Sequence, residues 1–242
     1  MSTHALTMNI KLSDTQDQEF IPILTEEDET AMQETDIPEV LPLLSLRNTV
    51  LFPGVVIPIS VGRDRSVRLI KEANKAGQVI GVVSQKEDDT EVPGPTDLNR
   101  VGTVARIMKM LKMPDGTNTV ILQGQQRFTW DDVIQEEPYL KAKVSSYGGI
   151  EEPLPEKESQ AMVESLRDLA AELIEMNPNI PTEAAEAIKG INRLGFLVNF
   201  IGSNMQVKVD EKQRILEEVD LGKRAQTVLE LLHKEKHMLS LK

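Results

Sequence analysis

The chain has 242 residues, of which 40% are hydrophobic and 27% are charged, and its net charge is −12. This composition is that of a globular protein, and so acidic a chain disfavours nucleic acid as the main partner, because such binding depends on contacts to phosphate. The absence of cysteine excludes disulfides and fits a reducing cytoplasm, and no apolar run is long enough to span a membrane. We therefore expect a cytoplasmic protein with no membrane partner.

Residues 1–40 form an acidic tail. They contain ten acidic residues and one lysine, which gives this stretch a charge of −9 and leaves −3 for the rest of the chain. The tail is polar and shows no sustained periodicity, so it cannot bury enough apolar surface to offset the entropy lost on ordering. We predict that the tail is disordered, and a docking or regulatory role for its charge is the alternative.

Residues 41–147 are predicted to form a β-rich, barrel-like domain. Their strands are expected in apolar, β-branched runs that are bounded by turn residues, with one helix among them. Pro114-Asp115-Gly116 predicts the turn of a hairpin, and five or six strands suggest a small, partly open barrel. The runs lie at 41–62, with a turn at Pro53-Gly54, and at 77–85, 101–113, 117–134 and 139–147.

Residues 148–157 are predicted to be a linker, because they are rich in glycine, proline and glutamate. From 158 to 242 the apolar residues recur with a helical period, which predicts a helical bundle. The last helix has no residue that would end it, and its apolar pattern continues to the end of the chain. We therefore expect a truncated long helix there and read the sequence as the front portion of a larger protein.

Within the predicted bundle, the first helix ends at Asn177-Pro178, because the residue before a proline disfavours helical geometry. A second helix is expected from Thr182, a suitable N-cap, to Ile201. Gly190 and Gly195 lie inside that helix, and we expect them to permit close packing instead of breaking it.

Five blocks of the chain resemble, in the same order, the N-terminal domain of Lon, the ATP-dependent protease. The resemblance implies an α+β fold in which a small PUA-like β-barrel domain precedes an α-helical bundle. It also implies a domain that recognises unfolded or damaged polypeptides and aids assembly of a hexamer, with ATP and Mg bound in other parts of the parent protein. The blocks are LPLLSLRNTVLFPGVVIPISVGR (41–63), GVVSQKEDDTEVPGPTDLNRVGTVARI (81–107), KMPDGTNTVILQGQQRF (112–128), EPYLKAKV (137–144) and LVNFIGSNMQVKVDEKQRILEEVDLGKRAQTVLELLHKE (197–235).

The chemistry of that protease needs a phosphate-binding loop and a serine–lysine pair, and the sequence shows neither. Gly222-Lys223 is followed by arginine and lacks the second glycine that a P-loop requires. His233 and His237 are four residues apart, but Lys234 stands where a zinc protease has its glutamate, so we interpret both as surface histidines. We expect no catalytic, cofactor or metal site in this fragment, and an ATP-dependent serine endopeptidase as its parent.

A surface that holds unfolded polypeptide needs exposed, adaptable apolar side chains, and methionine suits this role because it is flexible and polarisable. The predicted hairpin and the strand after the first turn carry such residues. We hypothesise that the outward-facing members of this set bind substrate; the alternative is that most of them belong to the core. The set is Ile57, Pro58, Met108, Met110, Leu111, Met113 and Ile121.

Two other functions stay open at this point. A PUA-like module could bind RNA or another ligand, although the acidic charge argues against RNA. A pure oligomerisation domain would use the last helix for its contacts, and substrates would then bind elsewhere in the parent protein.

Overall fold

The computed structural model of the chain describes residues 7–10, 19–22, 26–178, 180 and 182–241. It combines a mixed sheet with several helices, which confirms the α+β class. The strands are β1 (Thr7–Ile10), β2 (Glu19–Pro22), β3 (Val40–Leu46), β4 (Val56–Val61), β5 (Ile80–Ser84), β6 (Val101–Lys112), β7 (Asn118–Gln135) and β8 (Lys141–Ser146). The helices are α1 (Glu26–Glu34), α2 (Asp64–Ala76), α3 (Glu156–Met176), α4 (Thr182–Lys189), α5 (Leu194–Asn204), α6 (Val209–Glu217) and α7 (Leu221–Ser240).

Six strands form one sheet in the order β4-β7-β6-β5-β3-β8. Within it only β3 and β5 run parallel. The long strand β7 pairs with β4 near its start and with β8 near its end, so backbone pairing runs continuously through β7, β6, β5, β3 and β8. The predicted hairpin is the β6–β7 pair, and the barrel geometry itself stays a prediction.

The apolar run at 77–85 is uninterrupted because it contains β5, which lies between β6 and β3 inside the sheet. Every residue of β5 is buried, because side chains on both faces of this strand meet apolar neighbours. One face packs on α2 through Leu69 and Ile70, while the other belongs to a cluster with Phe128 and Trp130. Gly77 ends α2 with a positive φ of 63°, and its N–H reaches the last carbonyls of the helix.

Helices α3 to α7 surround the larger part of a second apolar core. The single helix predicted from Thr182 to Ile201 is wrong, since α4 ends at Lys189 and α5 begins at Leu194. Short turns close α4: the Gly190 N–H donates to the Ala187 carbonyl at 3.2 Å. The Arg167 guanidinium then donates to the Ile191 carbonyl at 3.0 Å, so a side chain from α3 holds the break in place.

Part of the predicted disordered tail has secondary structure. β1 pairs with β2, and α1 lies on β7. Met32 and Gln33 of α1 are half-buried, and the Gln126 side-chain amide donates to the Thr35 carbonyl. This contact joins residues 91 positions apart in the chain, so local composition gives no indication of it. Residues 1–6, 11–18 and 23–25 lie outside the described residues, and the bounds 1–40, 41–147, 148–157 and 158–242 stay predictions.

The sheet and the helices share their core. Val50, Phe52 and Val55, from the loop between β3 and β4, are buried in the same cluster as the residues of α3, α5 and α7. A Cβ atom on Gly202 of α5 would lie 3.7 Å from Phe52 Cζ, which shows how closely the ring approaches that helix. This loop thus joins the two halves of the molecule, the sheet with α2 and the helices α3 to α7. We call its buried residues Val50, Phe52 and Val55 the plug.

Two buried arginines strengthen this joint. Arg127 of β7 donates to the carbonyls of Leu216, at the end of α6, and Glu218, in the link to α7, at 3.1 and 3.0 Å. Arg224 of α7 also donates to the Glu218 carbonyl, at 2.8 Å, and forms an ion pair with Glu151. Burial, together with the nearby Arg224, lowers the pKa of Arg127. The start of α7 is therefore fixed relative to the sheet.

Candidate functional site

The outer face of β4, β7 and β6 carries a small apolar cluster that is separate from the core on α2. We call Val56, Met108, Leu111 and Ile121 the outer cluster. Val56 and Ile121 are 8% and 1% exposed, while Met108 and Leu111 are half-buried and pack on them. Pro58 lies opposite Ile121 in the β4–β7 pair and is exposed. An apolar surface is therefore partly open to solvent at this face.

Because side chains alternate along a strand, the predicted substrate-binding residues lie on both faces of the sheet, some towards α2 and some on the outer face. Ile57 and Met110 pack against the inner core on α2, so they do not share a surface with the outer cluster. Ile121 lies under Met108 and Leu111 and offers little surface of its own. Pro58, Met108 and Leu111 are the predicted residues that this outer face presents to solvent.

Met113 stands apart from both clusters, at the hairpin turn. Its N–H donates to the Thr117 carbonyl at 2.8 Å, and its side chain is half-buried. Val56 was missed by the sequence reasoning, although it is two residues before Pro58 on the same strand and so shares its face. A register shift between Ile107 and Lys109 places Met108 and Leu111 together despite their odd spacing, and no local pattern predicts it.

The charge around the outer cluster is opposite to that of the whole chain. Arg106, Lys109 and Lys112 on β6 are exposed, and Asp115 is the only acidic residue between positions 106 and 119. The Arg106 guanidinium lies 3.4 Å from the Met108 sulfur. Hydrogen bonds from Thr117 lower the pKa of Asp115, so this carboxylate stays ionised within the turn. The result is an apolar patch bordered by cations.

A sheet edge adjoins the outer cluster. Among the described residues β4 is the end strand, with β7 as its partner on one side. The Gly124 N–H donates to the Val55 carbonyl at 2.9 Å. Backbone groups alternate along an antiparallel pair, so Val55, Ile57 and Ile59 bond to β7 and Pro58 faces the open side.

His233 and His237 are exposed on α7, and no group of three metal-binding side chains comes together among the described residues. None of the described helices is both long and apolar enough to cross a bilayer.

Comparison with known proteins gives a consistent result. Residues 40–234 match the family model of the ATP-dependent protease La (LON) substrate-binding domain. The chain is 46% identical over 245 residues to a Lon protease of Flavobacterium johnsoniae, in a match that covers all of this chain and 30% of that protein. It is 44% identical over 208 residues to Lon protease 2 of Myxococcus xanthus, covering 85% of this chain and 25% of the other.

Solved structures share the fold. The N-terminal domain of a Mycobacterium avium complex Lon protease matches with a TM-score of 0.64 at 18% identity, over 80% of this chain and 98% of that one. The corresponding domain from Xanthomonas campestris matches with a TM-score of 0.57 at 19% identity, over 78% and 96% of the two chains. The chain spans less than a third of the length of its curated relatives. The chain therefore belongs to the family of Lon substrate-binding domains.

Proposed function

We propose that the chain is the substrate-recognition unit of an ATP-dependent Lon-type protease and that it binds unfolded or damaged polypeptides on the outer cluster. The observation that carries this proposal is the partly open apolar face formed by Met108, Leu111 and Pro58 over buried Ile121. The family match supports polypeptide as the ligand. The continuous strand pairing supports a PUA-like barrel as the scaffold that presents the face.

The chemistry of this face suits a ligand without a fixed sequence. Methionine adapts to differently shaped apolar side chains because it is unbranched and polarisable. The long side chains of Arg106, Lys109 and Lys112 can lie along an apolar ligand with their stems while their charges stay in water. Such a surface would bind weakly and broadly, as a first contact with unfolded protein requires.

The remaining activities belong to the parent protein. The relatives named Lon protease support an ATP-dependent serine endopeptidase that binds ATP and Mg outside this fragment. We extend the proposal to assembly of the parent hexamer and to a cytoplasmic location, both of which agree with the family. RNA is a poor candidate ligand, because the chain carries a charge of −12.

The test removes the open part of the outer cluster. Met108→Ser combined with Leu111→Ser should weaken binding of a permanently unfolded model protein, such as reduced and carboxymethylated α-lactalbumin, measured by fluorescence anisotropy. Each lost side chain forfeits about 1 kcal/mol of burial, so the affinity should fall by roughly 30-fold.

The matched control is Ile134→Ser on β7, where an apolar side chain is 52% exposed away from the outer cluster. This variant should bind like the parent chain. Thermal unfolding of each variant shows whether the fold is intact. Unchanged binding by a folded double variant would exclude the outer cluster as the site.

A further inference from the structure

A cavity lies beside β3, at the start of α2. It has a volume of about 250 Å³ and is bounded by β3, the first residues of α2 and the loops around Val92 and Leu140. Buried Leu43, Leu69 and Leu140 form apolar walls. Val92 stands at the cavity with 67% of its surface exposed, although it is apolar. The volume is below the roughly 300–1,000 Å³ of small-molecule pockets, so it fits one side chain better than a whole cofactor.

Arg63 lines this cavity and forms no ion pair with any residue that the structure describes. The half-buried Arg63 donates to Ser45 Oγ at 3.2 Å and to Gln85 Oε1 at 2.7 Å, both of them neutral oxygen atoms. Asp64 and Glu91 also line the cavity, but neither forms an ion pair with Arg63. The neighbouring Arg65 does have such a partner, Glu137, at 3.1 Å.

The surroundings of Arg63 also disfavour its charged form. Burial, and then repulsion from Arg47, lower the pKa of its guanidinium. Arg47 itself donates to the carbonyls of Thr90 and Glu91, at 3.3 and 3.4 Å, and so brings a second positive charge towards the cavity. A half-buried cation without a counter-charge is costly, and a carboxylate that reached it would form a strong, charge-assisted hydrogen bond.

A ligand that suits this cavity carries a carboxylate and an apolar group close together. The C-terminal residue of a polypeptide has both on one Cα atom, whereas an internal apolar residue has no carboxylate. We propose that the cavity binds the C-terminal residue of a polypeptide, with its carboxylate at Arg63 and its apolar side chain against Leu43, Leu69 and Leu140. This inference rests on the proposed function and adds a substrate class to it: polypeptides with a free, apolar C-terminus.

The test compares two short peptides that carry a fluorophore at the N-terminus and leucine at the C-terminus. One ends in a free carboxylate and the other in an amide. The free acid should bind the chain at least tenfold more tightly in anisotropy titrations, because the amide cannot pair with a cation. A third peptide, with asparagine as a free-acid C-terminus, should bind as weakly as the amide, since it lacks the apolar side chain.

Two substitutions locate the effect. Arg63→Gln should remove the difference between acid and amide, while Arg68→Gln, on the exposed face of α2, should preserve it. Equal binding of acid and amide to the unsubstituted chain would overturn the proposal without any variant, so a misfolded Arg63→Gln chain cannot obscure the result. Retention of the difference by a folded Arg63→Gln chain would overturn the role of Arg63.

The result of the peptide experiment can be told apart from the result of the outer-cluster experiment. Met108→Ser with Leu111→Ser should weaken binding of the unfolded model protein and leave the ratio of acid to amide affinity unchanged. If acid and amide bind equally while the unfolded protein still needs the outer cluster, the cavity proposal fails and the proposed function stands.

Discussion

Replacing Phe52 with alanine should destabilise the sheet and the helices together. Phe52 comes from the loop between two strands, yet it is 0% exposed and lies in the helical core. A buried Phe→Ala change costs about 3–5 kcal/mol. A domain of 150–250 residues loses about 2–4 °C in Tm for each kcal/mol, so the melting temperature should fall by roughly 6–20 °C.

Two probes can follow the two halves separately. Trp130 is the only tryptophan of the chain and is buried in the sheet, so its fluorescence reports on that half. Circular dichroism at the helical band reports chiefly on α3 to α7. If the shared core makes one cooperative unit, both signals should shift by the same amount in Phe52→Ala.

The result that would refute this reasoning is a lower midpoint in circular dichroism with an unchanged midpoint in Trp130 fluorescence. The two halves would then unfold independently, and the plug would not join them. Ile150→Ala is the control, because Ile150 is 68% exposed and its loss should change stability by less than about 0.5 kcal/mol.

Two further predictions concern charged groups. Arg224→Met should lower the free energy of unfolding by about 3–5 kcal/mol in urea titrations, because it leaves the Glu151 carboxylate partly buried without its cation. Adding Glu151→Gln should restore much of this loss. An unchanged urea midpoint for Arg224→Met would contradict the prediction. Burial raises the pKa of Glu235 on α7, so its contribution to stability is greatest when it is protonated and is lost as the pH rises through the raised pKa. Glu235→Gln should therefore increase Tm at neutral pH, and the gain should vanish below the ordinary glutamate pKa of about 4.3; a gain of equal size at both pH values would show that burial of charge is not its cause.

Local patterns predicted most of the sheet, because its strands are bounded by strong turn residues. The run 77–85 contains β5, and Pro114-Asp115-Gly116 lies between β6 and β7 as expected. The same reasoning failed at Gly190, where the break between α4 and α5 depends on a hydrogen bond from Arg167 of another helix. It also gave no indication of α1, which is held by a strand far along the chain.

For the candidate binding residues, too, local sequence predicted one part and distant contacts decided the other. Hydrophobicity identified the hairpin as an apolar surface, but it could not separate Met108 from Met110, which face opposite sides of the sheet. That separation depends on the register shift after Ile107, a property of strand pairing and not of local sequence. Arg63 was not singled out, since its lack of an ion pair becomes visible only when the neighbouring loops are folded around it.

The position of Pro58 on the open side of β4 limits how the edge of this sheet can pair with another strand. An incoming extended segment would find no amide donor at the middle of this edge, so a long backbone ladder cannot form there. If the proposed function holds, binding at this edge would depend on side-chain contacts and not on a backbone ladder. The same gap discourages edge-to-edge pairing between two copies of the domain, which is a common route to aggregation.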